Sequence, residues 1–589
     1  MAKRLFIILL FVWVGWPLIA LAAAQPKPNF TFNVEGVSDP ALANIKIRLK
    51  TLSGPSSTPL SPKEIQTIYH EAPEEIKLAL QPFGFFSPTI QSSLTQEGQQ
   101  WVAHYRIIPG QQVKLAHVVL SLSGEGQNDP LLQTILKSSP LKSGDPFNAN
   151  LYNTIKKKLL ETAVSQGYLD AKFAIQEVKI NRQALTADEA LELQTGPQYY
   201  FGDVSFSSSP FNSKFLRRYL PFKQGAPYRS DDLLRLQQNL LGSGYFAQVN
   251  ITSGAATANR EIPLEVKLTL KKKIQYSLGL GYGTDTGPRG TLGLDLRWLN
   301  SLGQNFKTTI IGSKIQNSLT AQYIIPGKNP LTQQYYVSGS VGQEAPPNNS
   351  QGVLQKVSVG YLTKIYGWTQ NFSLNAQHEH YNLNDGPYLD SHLLYPQITW
   401  SKNNYDDLLF PLKGGSINVT ALGTAEEIGS SSTFLQTEVK TQYVYSLTEK
   451  NRFVFRGDVG YTLINELENL PLSLQFFAGG AQSVRAYQYE GLGPGRTLAV
   501  GSAEYQREVY NKWYATVFYD IGNAADHIFH CTSADQAAGI NCGFKSSPGV
   551  GVLWASPVGP LELTLADAIN ESGPLYKKLQ ISFNMGMSL

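Results

Sequence analysis

The sequence predicts a two-part chain. Three small α+β units of β-α-α-β-β order are followed by a transmembrane antiparallel β-barrel of about sixteen strands. Three observations carry this. A glycine–aromatic step recurs at Gly84, Gly167 and Gly244, spaced 83 and 77 residues apart. From Lys271 onward the apolar pattern switches to strict alternation in short segments broken by turns. After the N-terminus, no stretch approaches the roughly 18 continuous apolar residues of a spanning helix.

The chain opens with Lys3-Arg4, a largely apolar run from Leu5 to Leu21, and Ala22-Ala23-Ala24 before Gln25. This pattern predicts a secretory signal over Met1–Ala24; the other reading of so long a run is a membrane anchor. With spanning helices excluded further on, a mature chain that meets a membrane does so as a barrel. Charged residues make up 16%, against about 25% in ordinary soluble domains. The formal charge of +4 over 589 residues argues against nucleic acid as a partner. Of 51 glycines, 16 precede Lys271 and 35 follow, so the two parts are built differently.

Each N-terminal unit is expected to open with a strand, pass through two helical segments and close through its glycine step. The steps are Pro82-Phe83-Gly84-Phe85-Phe86, Gly167-Tyr168-Leu169-Asp170 and Gly244-Tyr245-Phe246. Glycine just past a helix ends it in the left-handed region, and the aromatic then covers the core. Helical spacing is clear at Ile155, Leu159, Leu160 and Ala163, and Asp231-Asp232 start another helix with Leu233, Leu234, Leu236, Leu240 and Leu241 following. Joints at Pro109-Gly110 and Gly196-Pro197 feed strands over Val113–Leu120 and Tyr199–Phe206. On residues alone, three generic α+β domains remain the other reading.

In the second part, Ile274, Tyr276, Leu278, Leu280 and Tyr282 share one face of the first strand, with Gln275, Ser277, Gly279, Gly281 and Gly283 on the other. Val439, Tyr443, Tyr445 and Leu447 alternate likewise, and the last strands run Pro548–Ala555, Leu561–Leu565 and Lys578–Met587. A soluble sandwich is the competing fold, disfavoured by tyrosine-rich, low-charge strands. Between flanks read as strands, Leu472–Phe477 and Leu498–Tyr505, lies Ala478-Gly479-Gly480-Ala481-Gln482-Ser483-Val484-Arg485-Ala486-Tyr487-Gln488-Tyr489-Glu490-Gly491-Leu492-Gly493-Pro494-Gly495. A loop this long needs a function of its own. In Trp513–Ile521, alternation groups Tyr514, Thr516, Phe518 and Asp520. An aspartate facing lipid is costly, so this face is lumenal, and Arg485 offers a two-pronged partner.

These residues resemble the outer-membrane insertase superfamily, whose inward-folded loop carries a Val-Arg-Gly-[Phe/Tyr] core. Here the core is Val484-Arg485-Ala486-Tyr487, departing at Ala486. Were φ positive there, alanine would cost about 1 kcal/mol more than glycine. Asn403–Gly415 with its Pro411-x-x-Gly414 turn, Phe518-Tyr519-Asp520-Ile521-Gly522, and Gly551–Pro560 also resemble family segments, in family order. The N-terminal units look like polypeptide-transport-associated (POTRA) domains, here 25–110, 111–196 and 197–270, ahead of a barrel over 271–589. Three such domains and one barrel resemble the TamA group, the outer-membrane half of the translocation and assembly module. That resemblance implies outer-membrane localisation in a Gram-negative envelope with periplasmic repeats, and unfolded β-rich clients such as autotransporters. It also implies a TamB-like partner anchored in the inner membrane, contact with outer-membrane lipid, and no cofactor. A two-partner-secretion transporter or a passive pore is the nearer alternative.

The mechanism expected is lateral. Gly279, Gly281 and Gly283 weaken the first strand, and Gly586 sits in the last, so a poor seam between them could pair with a client strand. Cys531 and Cys542 are expected to form a disulfide in an extracellular loop, two free thiols being the other reading. His378 and His380 share a strand face, but two ligands without a third define no metal site. No nucleophile elbow or phosphate loop occurs, so no enzyme is expected.

Overall fold

The computed structural model describes residues 30–585 apart from 55–59, 99, 347–348, 408, 530, 533–540, 558 and 572–577. The expected signal over 1–24 and the seam residue Gly586 lie outside the described residues. Two compact units emerge, one of residues 1–200 with 227–230, the other of 201–226 with 231–589.

The first unit holds two β-α-α-β-β modules. In the first, β1 (Phe30–Glu35), α1 (Ala41–Ser53), α2 (Pro62–Leu80), β2 (Thr89–Glu97) and β3 (Gln100–Ile108) form a sheet of order β1-β3-β2 under two helices. Ser61 and Glu64 cap α2 reciprocally, with Pro62 in its first turn. The second module repeats the plan with β4 (Lys114–Ser123), α3 (Pro130–Lys137), α4 (Ala149–Ser165), β5 (Lys172–Asn181) and β6 (Thr186–Gln194), in sheet order β4-β6-β5. Ile155, Leu159 and Ala163 of α4 are buried, as the helical spacing predicts. β1 runs parallel to β3 and β4 to β6.

The third module comprises β7 (Tyr200–Phe206), α5 (Ser213–Leu216), α6 (Ser230–Gly242), β8 (Phe246–Ser253) and β9 (Glu261–Leu270), in sheet order β7-β9-β8. The three step glycines, Gly84, Gly167 and Gly244, all take left-handed φ, from +83° to +91°. This module clusters with the barrel because aromatic residues join them. Phe211 packs on Trp298, the Tyr245 hydroxyl donates to the Gly303 carbonyl at 2.6 Å, and the Asn212 amide donates to the Ser301 carbonyl.

The barrel closes with sixteen antiparallel strands. Its wall begins with β10 (Ile274–Gly283), β11 (Gly287–Leu296), β12 (Asn305–Ser313), β13 (Gln316–Pro326), β14 (Gln333–Glu344) and β15 (Gln351–Ile365). It continues through β16 (Trp368–Asn382), β17 (Leu389–Asn403), β18 (Lys413–Thr424), β19 (Phe434–Thr448) and β20 (Asn451–Ile464). Two short strands, β21 (Phe476–Ala478) and β22 (Leu492–Gly495), pair with each other inside the following loop. The wall resumes with β23 (Thr497–Tyr510), β24 (Trp513–Ala525), β25 (Lys545–Ser556), β26 (Gly559–Asp567) and β27 (Leu579–Met585).

Expected wall strands therefore recur with one correction. Leu472–Phe477 is not a wall strand: Leu472–Leu474 forms a single 3₁₀ turn after Pro471, and only Phe476–Ala478 is extended. The apolar residues misled the reading because they face the inner wall, Leu470 and Leu472 being buried. Leu470 packs against Leu393, Tyr395 and Leu422.

Candidate functional site

The loop between β20 and β23 owes its shape to backbone positions that few side chains tolerate. Gly479, Gly480 and Gly493 take φ of +106°, +93° and +130°, and a Cβ on Gly479 would lie 2.3 Å from the Gln488 carbonyl oxygen. Hydrogen bonds from Gly480 N to Tyr487 O and from Tyr487 N to Val484 O close the tip. Val484, Phe476 and Leu492 then bury against Leu498, Val500 and Ala524, so the loop is seated on the inner face of β23 and β24.

That seating delivers Arg485 to β24, where alternation buries Tyr514, Thr516, Phe518 and Asp520 on the lumenal face. Arg485 is 1% exposed and Asp520 fully buried. Nε and Nη2 of Arg485 each donate to one Asp520 oxygen at 2.9 Å, and the Arg485 backbone amide donates to the same carboxylate at 3.1 Å. The guanidinium carbon sits 3.3 Å from the Phe518 ring centroid. Gly522 permits the close pairing beside this site, since a Cβ there would meet the Ala499 carbonyl oxygen at 2.6 Å. Tyr487 packs nearby on Ala486 and Phe518, its hydroxyl 3.5 Å from Glu571.

The arrangement exceeds the pair suggested by sequence. Arg485 Nη1 also donates to Glu504 at 2.7 Å and to Glu562 at 3.4 Å, and Ser502 donates to Asp520 at 2.7 Å. Arg456 reaches Glu504 at 3.4 Å and donates to Gln482 of the loop at 2.9 Å. Gln506 links Glu504 to Arg452, which donates to the Pro411 carbonyl and lies over Phe410. Three carboxylates thus surround one guanidinium with a second at the edge. A signal for Glu504 and Glu562 exists in Ser502-Ala503-Glu504 and Leu561-Glu562-Leu563: an acid at an alternate position of an apolar wall strand must face inward.

Ala486 carries no positive φ, so the anticipated alanine cost does not arise. Its amide donates to Ser547 Oγ at 2.8 Å, and its methyl packs on Phe518, Ala566 and Ala568.

At the seam, β10 and β27 pair at Tyr282↔Met585 and Gly283↔Asn584 among the described residues. Thr284 N donates to Phe583 O at 3.0 Å, and Arg289 touches Asn584 at 3.4 Å. Below these contacts Tyr276, Leu278 and Leu280 of β10 are 71–77% exposed. The seam glycines differ: a Cβ on Gly281 would lie 2.6 Å from Arg289 Nε and 3.0 Å from the Met585 carbonyl, whereas Gly279 has ordinary room.

Cys531 and Cys542 are bonded to each other in the loop after β24, with Cα atoms 5.3 Å apart. His378 and His380 point outward and share Asp390, at 3.4 and 3.0 Å. No group of three or more His, Cys, Asp or Glu that could hold a metal occurs among the described residues.

A closed sixteen-strand wall, a loop pinned in its lumen by a buried arginine, and β-α-α-β-β modules ahead of it define a membrane β-barrel with N-terminal α+β modules. The comparisons make this specific. Residues 239–589 match the Omp85 superfamily domain, residues 31–109 the POTRA domain TamA domain 1, and residues 199–271 the surface antigen variable number repeat. The chain belongs to the Omp85 superfamily. It is 22% identical over 521 residues to the outer membrane protein assembly factor BamA of Neisseria meningitidis serogroup B, covering 76% of this chain and 64% of that protein. It is 20% identical over 499 residues to BamA of Nitratidesulfovibrio vulgaris, covering 80% of this chain and 61% of that one. The chain thus spans less than two thirds of the length of either relative. The crystal structure of Haemophilus ducreyi BamA lacking POTRA domains 1–3 shares the fold, with a TM-score of 0.67 at 16% identity, covering 80% of this chain and 99% of that one.

Proposed function

We propose that the chain is a TamA-type factor that inserts or translocates β-rich outer-membrane clients such as autotransporters, in concert with a TamB-like inner-membrane-anchored partner. The match of residues 31–109 to the first TamA POTRA domain favours this type. The observation that carries the mechanism is the place of closure: β10, with its glycines at 279, 281 and 283, meets β27 through Tyr282↔Met585 and Gly283↔Asn584 among the described residues. Once the seam parts, the N–H and C=O groups of β10 form an edge to which a client strand can add by β-augmentation. The loop anchored at Arg485 keeps the inner wall in one geometry while the seam parts. The three modules are proposed at 25–110, 111–196 and 197–270, their edge strands receiving clients or partner.

The test locks the seam. Tyr282→Cys with Met585→Cys places cysteines at directly paired positions, within the approach of about 7 Å that a disulfide needs. The cross-linked protein is expected to fold and to lose client insertion, while a control bridge between Val439→Cys and Val459→Cys, also directly paired, leaves insertion intact. Full insertion by quantitatively seam-locked protein would reject lateral opening and favour passage through the lumen.

A further inference from the structure

The loop that carries Arg485 has a second seat, on the other side of the lumen. Ahead of the tip, its limb Leu467–Gln475 lies along the inner face of β16–β19, at the end remote from the turns that meet the third module. The lumenal face of a membrane barrel is normally polar. Here Leu393, Tyr395, Leu422 and Phe434 form an apolar lumenal patch, and Leu470 fills it, fully buried. Apolar surface facing a watery lumen is unfavourable, so this patch is built to be covered.

Beside the patch the limb is held by hydrogen bonds from neutral donors. Glu379, 1% exposed, accepts from the Ser473 amide at 3.1 Å, from the Ser473 hydroxyl, and from Gln377 at 3.1 Å. Gln377 also donates to Ser473 Oγ at 2.9 Å and is itself fixed by the Tyr395 hydroxyl at 2.8 Å. Tyr381 donates to the Glu468 carbonyl at 2.8 Å, and Gln436 to the Leu474 carbonyl at 2.7 Å. Gly352 lets the wall come close, since a Cβ there would lie 2.9 Å from Glu379 Oε1 and 3.3 Å from Leu472 Cδ2.

The two seats stand differently to the seam. In the closed order β16–β19 are the seventh to tenth strands, facing the seam across the lumen, whereas Glu562 of the tip seat is on β26, next to the seam strand β27. Movement at the seam therefore disturbs the tip seat first. The wall residues of the limb seat and those around Arg485 do not overlap. We propose that the limb is a permeability seal in its own right, with Glu379 and Ser473 as its positioning residues, keeping its half of the lumen closed to water and ions when the tip leaves β24. A loop fixed at one point swings free when that point fails; fixed at two, it yields one span at a time.

The test reads ion leak through the full chain in planar bilayers. Val484→Cys, at a fully buried position of the tip, is carried in every variant and reports tip release through its labelling by a membrane-impermeant maleimide. Glu379→Leu with Ser473→Ala removes both sides of the hydrogen-bonded seat. It is expected to raise the open fraction several-fold while residue 484 labels as slowly as before. Glu379→Gln, which keeps an acceptor for Ser473, should hold the leak near its original level. Adding Arg485→Ala should multiply the two increases, because the seats share no partner. Should the paired variant lose the heat-modifiable mobility of a folded barrel, Gly352→Ala unseats the limb instead, by pressing a methyl on the Glu379 carboxylate. An unchanged leak from an unseated limb, a leak that rises only together with labelling at 484, or a combined increase no larger than that of Arg485→Ala alone overturns the proposal. Client insertion enters no arm of this test, so the insertion reading stands or falls separately, by the seam lock.

Discussion

Arg485 shows what a buried charge does in a barrel lumen. The guanidinium has given up its hydration, and its attraction to Asp520, Glu504 and Glu562 at 2.7–3.4 Å compensates only while all partners stay in place. Such a cluster fixes one loop position more than it adds net stability. Arg485→Ala should therefore cost about 3–5 kcal/mol by stranding the carboxylates, read as a lower urea midpoint for the folded barrel. Arg485→Lys should lose much of the same stability, since an ammonium cannot reproduce the fork. The exchanged pair Arg485→Glu with Asp520→Arg should not rescue, because the new glutamate would face Glu504 and Glu562. Glu189, in the second module, is the opposite case. It is 1% exposed, neither carboxylate oxygen has a hydrogen-bond partner, and burial pushes it up to about 7 from 4.5. The folded state thus binds the proton more tightly than the unfolded state. Its stability is fully present below about pH 4.5 and is lost as pH rises through about 7, to a limit of about 3 kcal/mol. Hydrogen exchange across β6 in the intact chain, corrected for intrinsic rates, should speed up between pH 5 and 8, and Glu189→Gln should flatten that slope.

Elements differ in how openly the sequence displays them. The step glycines were legible because a left-handed helix end admits few other residues, and the lumenal face of β24 was legible because period-two alternation leaves Asp520 no lipid-compatible side. Leu472–Phe477 was misread since an apolar run looks the same whether it faces lipid or the inner wall. Glu504 and Glu562 were missed as partners because only barrel closure brings β23 and β26 to the same arginine. Glu189 breaks its strand's own pattern, an acid on the face shared by Ala187, Leu191 and Leu193. The junction of the third module with the barrel was likewise invisible, although Gly303 is decisive there. It takes φ +71°, and a Cβ would lie 2.2 Å from Phe215 Cζ. Gly303→Ala should push Phe215 out of its seat at a cost of about 1–3 kcal/mol, seen as faster exchange in α5 and β8 with the strands β15–β20 unchanged.

For the molecule as a whole, the deciding question is whether the lumen or the wall is the route. A passive pore needs an open lumen, yet here the loop bearing β21 and β22 lies against β23 and β24, and Gln482, Val484 and Arg485 are tied to the wall by apolar burial and ion pairs. Water and ions must pass around this plug, and the cavities beside it are lined by paired charges such as Lys440 with Asp458. The intact chain in planar bilayers should therefore show low, flickering conductance. Arg485→Ala should raise it several-fold by freeing the loop, and removal of 478–491 should raise it further, without improving client insertion. The seam lock between residues 282 and 585 should leave both conductances where they were, because it closes the wall and not the lumen. A seam lock that abolished conductance would place the ion path through the wall, and high conductance of the unaltered chain would return the loop to a solvated position and favour the pore.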